Sequence, residues 1–221
     1  MSGEPFLIED MNVWETRMFS VNYPEHSKNR QALLTAIENI RQQQEEAIAS
    51  YVAPTAKHKL YESSLDLLDQ PVPALSDLKV FLEDMLTTVA YAVNEEFWPE
   101  EVQAQASIIE SWFHVTENGG YHDTHSHPNC SWCGIYYLQA GESGIEERNG
   151  VNRFYDPRHG ADQYLDAGTA YLNAAGTWDF APQEGQIVIF PSYLKHAAMP
   201  YFGSQARIVL AFNSQVNFLE E

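Results

Sequence analysis

The spacing of hydrophobic residues changes near residue 106. Upstream it is helical. Over residues 28 to 49, Leu33, Leu34, Ile37, Ile40 and Ala47 recur every three or four positions opposite a Glu- and Gln-rich face, which predicts a surface helix. A second helix is predicted to open at Ser76, an N-cap residue type followed by Asp77, and to run through Val80, Phe81, Met85, Leu86, Val89 and Val93 towards Trp98 and Pro99. Between them, residues 52 to 74 hold Pro54, Pro71 and Pro73 around one Leu-rich piece, Leu65 to Leu68, and read as mostly irregular.

Downstream, short apolar or aromatic runs alternate with Gly, Pro, Asn and Asp clusters, the pattern of many short antiparallel strands. Eight are predicted: Ser107 to Val115, Asp123 to His127, Cys133 to Leu138, Asn152 to Tyr155, Thr177 to Ala181, Gln186 to Phe190, Lys195 to Met199 and Ala206 to Phe212. Helices first and strands afterwards imply an α+β, mainly β chain: a jelly roll buttressed on one face by N-terminal helices. At 221 residues this fits a single domain, with residues 1–105 as helical support and 106–215 as the strand-rich core.

Charge narrows the partners. Asp plus Glu number 31 against 12 Lys plus Arg, a net charge of −19. Such a field repels polyphosphates and anionic lipids, so neither a nucleic acid nor a membrane partner is expected. No apolar run approaches the roughly 18 residues of a membrane span. The opening MSGEPFLIED lacks a basic stretch and an apolar run, so a cytoplasmic location is expected. The two cysteines, Cys130 and Cys133, cannot staple the chain together, which fits a reducing compartment.

The candidate chemistry lies in the histidines. His114, His122, His125 and His127 fall within fourteen residues. On a strand, residues two apart share a face, so His125 and His127 can approach one ion together. His196, which follows the apolar run ending at Phe190 and Pro191, is a third ligand candidate. Eleven residues further on, Arg207 heads the apolar run Ile208 to Phe212. Burying a guanidinium there is costly without an anion, and a bidentate carboxylate ligand accounts for it. Cys130 and Cys133 form a CxxC just after the His pair, so a tetrahedral zinc site built from His125, His127, Cys130 and Cys133 is an alternative. It would leave His196 and Arg207 unexplained.

These residues resemble a family: the Fe(II)- and 2-oxoglutarate-dependent oxygenases of double-stranded β-helix fold, in the hydroxylase group related to prolyl 4-hydroxylases. The resemblance rests on Trp112-Phe113, Gly120, His125-Ser126-His127-Pro128, Gly134 to Leu138, Phe154 to Arg158, Gly185 to Ser192, His196 and Arg207 to Asn213, in the family's order over roughly residues 106 to 215. It implies that His125 and His196 are iron ligands, that Arg207 pairs with the distal carboxylate of 2-oxoglutarate, and that Tyr137 hydrogen-bonds that same carboxylate. The departure is at position 127, where most such oxygenases carry Asp or Glu and this chain carries His. Three readings follow: a three-His site using His127, a site completed by Asp123, or a two-His site with extra water. The three-His site is favoured, leaving Asp123 as an outer hydrogen-bond partner of an imidazole. His114 and His122 are left as pocket-wall or surface residues.

The implied activity is oxidative decarboxylation of 2-oxoglutarate to succinate and carbon dioxide, coupled to hydroxylation of a peptidyl or small-molecule substrate. Two rivals stay open. Three-His iron also suits dioxygenases of cupin type that bind their substrate directly and need no 2-oxoglutarate. A non-catalytic jelly-roll module is the other, with Trp112, Trp132, Tyr136 and Trp178 lining a ligand groove. Substrate identity and oligomeric state are not readable from the sequence.

Overall fold

The computed structural model describes residues 14–45, 57–158, 166–168 and 176–219. Two helices precede most of the sheet: α1 (His26–Glu45) and α2 (Pro73–Asn94). The strands are β1 (Phe19–Asn22), β2 (Lys57–Glu62), β3 (Ala104–His125), β4 (Trp132–Gln139), β5 (Asn152–Tyr155), β6 (Thr177–Phe180), β7 (Gln186–Pro191), β8 (His196–Tyr201) and β9 (Arg207–Phe218). They pair in the order β1-β7-β4-β9-β3-β8-β5-β6, with β2 added to β3, and every ladder is antiparallel. This is the expected jelly-roll architecture.

Several expected boundaries move. The strands expected at Ser107 to Val115 and Asp123 to His127 are one strand, β3, which pairs with β9 over Ala104 to Thr116 and with β8 from Gly120 to His125. The pair Gly119-Gly120, read as punctuation, is instead the corner where β3 passes between partners. Gly119 has φ +82°, and a Cβ on Gly120 would lie 2.4 Å from the Lys59 carbonyl oxygen. His127 lies just beyond the strand end. The second helix begins at Pro73, not Ser76, because proline's fixed φ suits the first helical position and its missing N–H costs nothing there. It ends at Asn94, short of Trp98. Part of the segment read as irregular is strand β2, and positions 46–49 of the first expected helix lie outside the described residues.

The central strands are buried on both faces, which is why they read as continuous apolar runs and not as alternation. On β4, β7 and β9 the side chains of Tyr136, Leu138, Ile187, Ile189, Leu210 and Phe212 meet α1 and α2 through Leu33, Ile37, Leu75, Leu78, Leu82 and Leu86. The alternate residues Cys133, Ile135, Tyr137, Val188, Phe190 and Val209 turn into the roll, where Phe154 and Leu194 join them. Helix α2 also protects the exposed edge of β3. Tyr91 Oη, Thr87 Oγ1 and Glu83 Oε1 accept from the N–H groups of Ala104, Ala106 and Ile108 at 2.9, 3.0 and 3.0 Å. Those donors would otherwise be left as an open template for strand addition. No described helix is long and apolar enough to cross a membrane.

Candidate metal centre and anion pocket

Strand register brings the histidines together. His125, the last residue of β3, pairs directly with His196, the first of β8. Just past the strand, His127 is anchored by its own N–H, which donates to the Ser192 carbonyl at 3.1 Å, on the turn leading to β8. The ring centroids are 5.2 Å apart for His125 and His127, 4.3 Å for His125 and His196, and 5.0 Å for His127 and His196. Among the described residues these three form the one cluster whose donor atoms, all within 4.8 Å of one another, could hold a metal. Cys130 and Cys133 are not part of it.

Each imidazole is held by the same nitrogen. His125 Nδ1 donates to the Asp123 carbonyl at 2.7 Å, His196 Nδ1 to the Leu194 carbonyl at 3.1 Å, and His127 Nδ1 to Asn213 Oδ1 at 2.6 Å. With Nδ1 carrying the proton, Nε2 keeps its lone pair, and the three rings present the tautomer a metal needs. Burial holds all three below the ordinary imidazole pKa, His125 at about 4, so the rings stay neutral. Glu110 completes the support, its carboxylate accepting from Asn213 Nδ2 at 2.7 Å. That bond fixes which end of the Asn213 amide faces His127.

The side chain of Asp123 is exposed and accepts from the Thr124 N–H at 2.9 Å. What reaches His125 is its main-chain carbonyl. His114 and His122 line the same cavity. His122 stacks on His125 with centroids 3.9 Å apart. His114 Nε2 lies 2.6 Å from Glu62 Oε2 and 3.1 Å from Trp112 Nε1. One nitrogen cannot donate to the first and accept from the second, and the shorter, charge-assisted contact decides for donation to Glu62. Burial would raise the Glu62 carboxyl, but His114 and Lys57 outweigh it and hold it at about 2.

Arg207 lies at the other end of the cavity, 2% exposed. Its Nη2 donates to Asn152 Oδ1 at 2.6 Å, and Tyr137 Oη donates to the same oxygen at 2.9 Å. The guanidinium carbon sits 5.6 Å from the Tyr137 ring centroid. Nε has no hydrogen-bond partner, and among the described residues no carboxylate pairs with this cation. Burial lowers its pKa, yet a guanidinium remains charged at any ordinary pH. A buried, unpaired cation costs several kcal/mol, on the order of what an anionic ligand would recover. Ile135, Val209 and Ala211 form the apolar wall between this cation and the histidines.

The sequence reading gave no role to Asn152, Asn213, Glu110 or Glu62. Asn213 carried a signal, because Arg207, Val209, Ala211 and Asn213 are two apart on β9 and share the inward face. The four aromatics of the binding-module reading do not share one groove: of them Trp112 alone lines the histidine cavity. Tyr136 is fully buried with Oη 2.6 Å from His26 Nδ1 on α1, Trp132 packs on Phe19, and Trp178 is half exposed.

Residues 110–213 match the family described as "Putative 2OG-Fe(II) oxygenase". Among curated proteins nothing matches. Solved structures share the fold at low identity. A prolyl-4-hydroxylase from Pseudomonas putida is 14% identical, with 89% of this chain and 91% of that chain covered and a TM-score of 0.55. HygX from Streptomyces hygroscopicus, solved with nickel, 2-oxoglutarate and hygromycin B bound, is 14% identical over 90% and 83%, with a TM-score of 0.59. A prolyl hydroxylase from Trichoplax adhaerens, in complex with a hypoxia inducible factor oxygen degradation domain peptide, is 12% identical over 89% and 83%, with a TM-score of 0.56.

Proposed function

We propose that this chain is an Fe(II)- and 2-oxoglutarate-dependent oxygenase of the family matched by residues 110–213, and that His125, His127 and His196 hold its iron and Arg207 its cosubstrate. The observation that carries the reading is the buried, unpaired Arg207 guanidinium across an apolar wall from three neutral, inward-facing imidazoles. Bound iron and 2-oxoglutarate supply the oxidising chemistry, consuming dioxygen and releasing succinate and carbon dioxide.

The protein's own part is positioning. His125, His127 and His196 bind through Nε2 while their Nδ1–H bonds fix the rings. Arg207 offers its free Nε–H and remaining Nη–H donors to the distal carboxylate, and Asn152, braced by Tyr137, keeps the guanidinium plane from turning. Ile135, Val209 and Ala211 keep water from the carbon chain between the two carboxylates. Three neutral ligands leave the metal site one negative charge poorer than two His and a carboxylate would. The dianionic cosubstrate is then the main local compensation for iron and Arg207.

The substrate is a peptidyl or small-molecule compound, the classes bound in the Trichoplax and Streptomyces structures. Oxygen-electrode assays test the reading: oxygen uptake must require Fe(II) and 2-oxoglutarate together and yield succinate. Uptake that ignores 2-oxoglutarate would favour the cupin-type reading.

Asn213→Ala removes the acceptor that sets the His127 tautomer and should weaken Mn(II) or Fe(II) binding on the order of tenfold, while Asp123→Ala leaves it nearly unchanged. Titration calorimetry checks both, and the reverse ranking would make Asp123 the ligand. Protons compete with metal only when they occupy Nε2. Because burial has already lowered the three imidazoles, His125 to about 4, metal affinity should stay level from pH 8 to well below 6.5 and fall only as pH approaches about 4. Loss of affinity with a midpoint near 6.5 would mean ordinary, solvated imidazoles.

A further inference from the structure

The chain's two cysteines are used by nothing described so far. Cys130 is half-buried in the turn between β3 and β4, and Cys133 is fully buried at the start of β4. Their sulfurs are 3.4 Å apart. Cys130 Sγ also donates to the main-chain carbonyl of His127 at 3.5 Å. Cys133, meanwhile, stands opposite Asn213 in the β4–β9 register, and Asn213 holds the His127 ring. The pair thus touches the support of one histidine from two sides.

We propose that Cys130 and Cys133 are a peroxide-sensitive dithiol whose closure to a disulfide weakens metal binding at His127. The second half rests on His127 being a ligand. Hydrogen peroxide is the oxidant: the Cys130 sulfur attacks its O–O bond, giving a sulfenic acid and one water. The Cys133 sulfur then displaces the hydroxyl as a second water, so two thiols and one peroxide become one disulfide and two waters. A small dithiol reverses the step by exchange.

The movement falls on one partner. A disulfide needs the sulfurs about 2.05 Å apart, so they must close by about 1.4 Å from their present contact. Cys133 is fixed by ladder pairing with both Phe190 and Asn213 and by packing against the residues inside the roll. Cys130 sits in a turn after Asn129, whose φ is +68°, outside the strand ladders that fix Cys133, so the closing movement falls on its side chain. Oxidation also removes the thiol hydrogen that bonds the His127 carbonyl. The ligand's main chain then loses a restraint while the residue opposite Asn213 is pulled on. Disturbing such outer supports changes metal affinity on the order of tenfold to a hundredfold.

The test uses reduced, metal-free, full-length protein treated with hydrogen peroxide and then titrated with Mn(II). Wild type should become about 2 Da lighter, lose both titratable thiols, bind Mn(II) roughly tenfold more weakly and recover with dithiothreitol. Cys130→Ser keeps a hydroxyl donor for the His127 carbonyl, so it should start with nearly the wild-type affinity and keep it after peroxide treatment. Two thiols that persist, or oxygen added to a single cysteine without the mass loss, would overturn the dithiol. A disulfide that leaves Mn(II) affinity unchanged would overturn the coupling. Reduced wild type that binds no Mn(II) would sink the metal-site reading and the coupling with it, while the mass measurement still decides the disulfide.

Discussion

His196→Ala and His125→Ala should each lose at least ~100-fold in Fe(II) or Mn(II) affinity with the fold intact. A four-ligand zinc site gains about 10–16 kcal/mol on binding, roughly 3 kcal/mol per ligand, and 1.4 kcal/mol is tenfold. Removing one of three protein ligands, with the other two held only by their own Nδ1 bonds, leaves a pair that cannot enclose the ion. The two positions differ in their side effects. His196 is 3% exposed and packs on Phe154 and Phe190, so alanine there also opens a cavity and should lower thermal stability, whereas the edge-lying His125 should cost less. Titration calorimetry with circular dichroism on the same samples separates the two losses. Wild-type affinity in either folded variant contradicts the three-His site.

Arg207→Lys should weaken 2-oxoglutarate binding by about 1–3 kcal/mol, roughly 5- to 150-fold, with metal affinity nearly unchanged. Lysine keeps the charge but loses the planar fork. It can satisfy Asn152 Oδ1 or a carboxylate oxygen, and it cannot present two parallel donors to the diacid while doing so. Equilibrium titration of 2-oxoglutarate into Mn(II)-loaded protein measures it. Equal binding in both proteins would make Arg207 a structural residue.

The candidate site was legible because its histidines lie close together in the sequence and an arginine in an apolar run calls for an anion, although His127 reaches the cluster from beyond the end of β3, held by its N–H to Ser192, and not by strand alternation. The corner in β3 was not. Gly119 and Gly120 look like a loop from sequence, and only the long-range pairing with β8 and β9 shows one strand turning there. Strand β2 was hidden because Lys57, His58 and Lys59 carry no alternating apolar signal and depend on β3 for their pairing. Asn213 could have been found by extending the period-two face of β9 two residues past Ala211. Asn152 could not, since at the head of a predicted strand it carries no sign of its partners, and its role depends on Arg207 and Tyr137 arriving from two other strands.

The most direct test of an Fe(II)–2-oxoglutarate chelate on three histidines is an anaerobic Fe(II) titration followed in the visible region, with and without 2-oxoglutarate. The account predicts a weak charge-transfer band that appears only when both are present, saturates at one iron per chain, and is lost in His196→Ala. Iron binding with no such band, or a band that survives in His196→Ala, would contradict it.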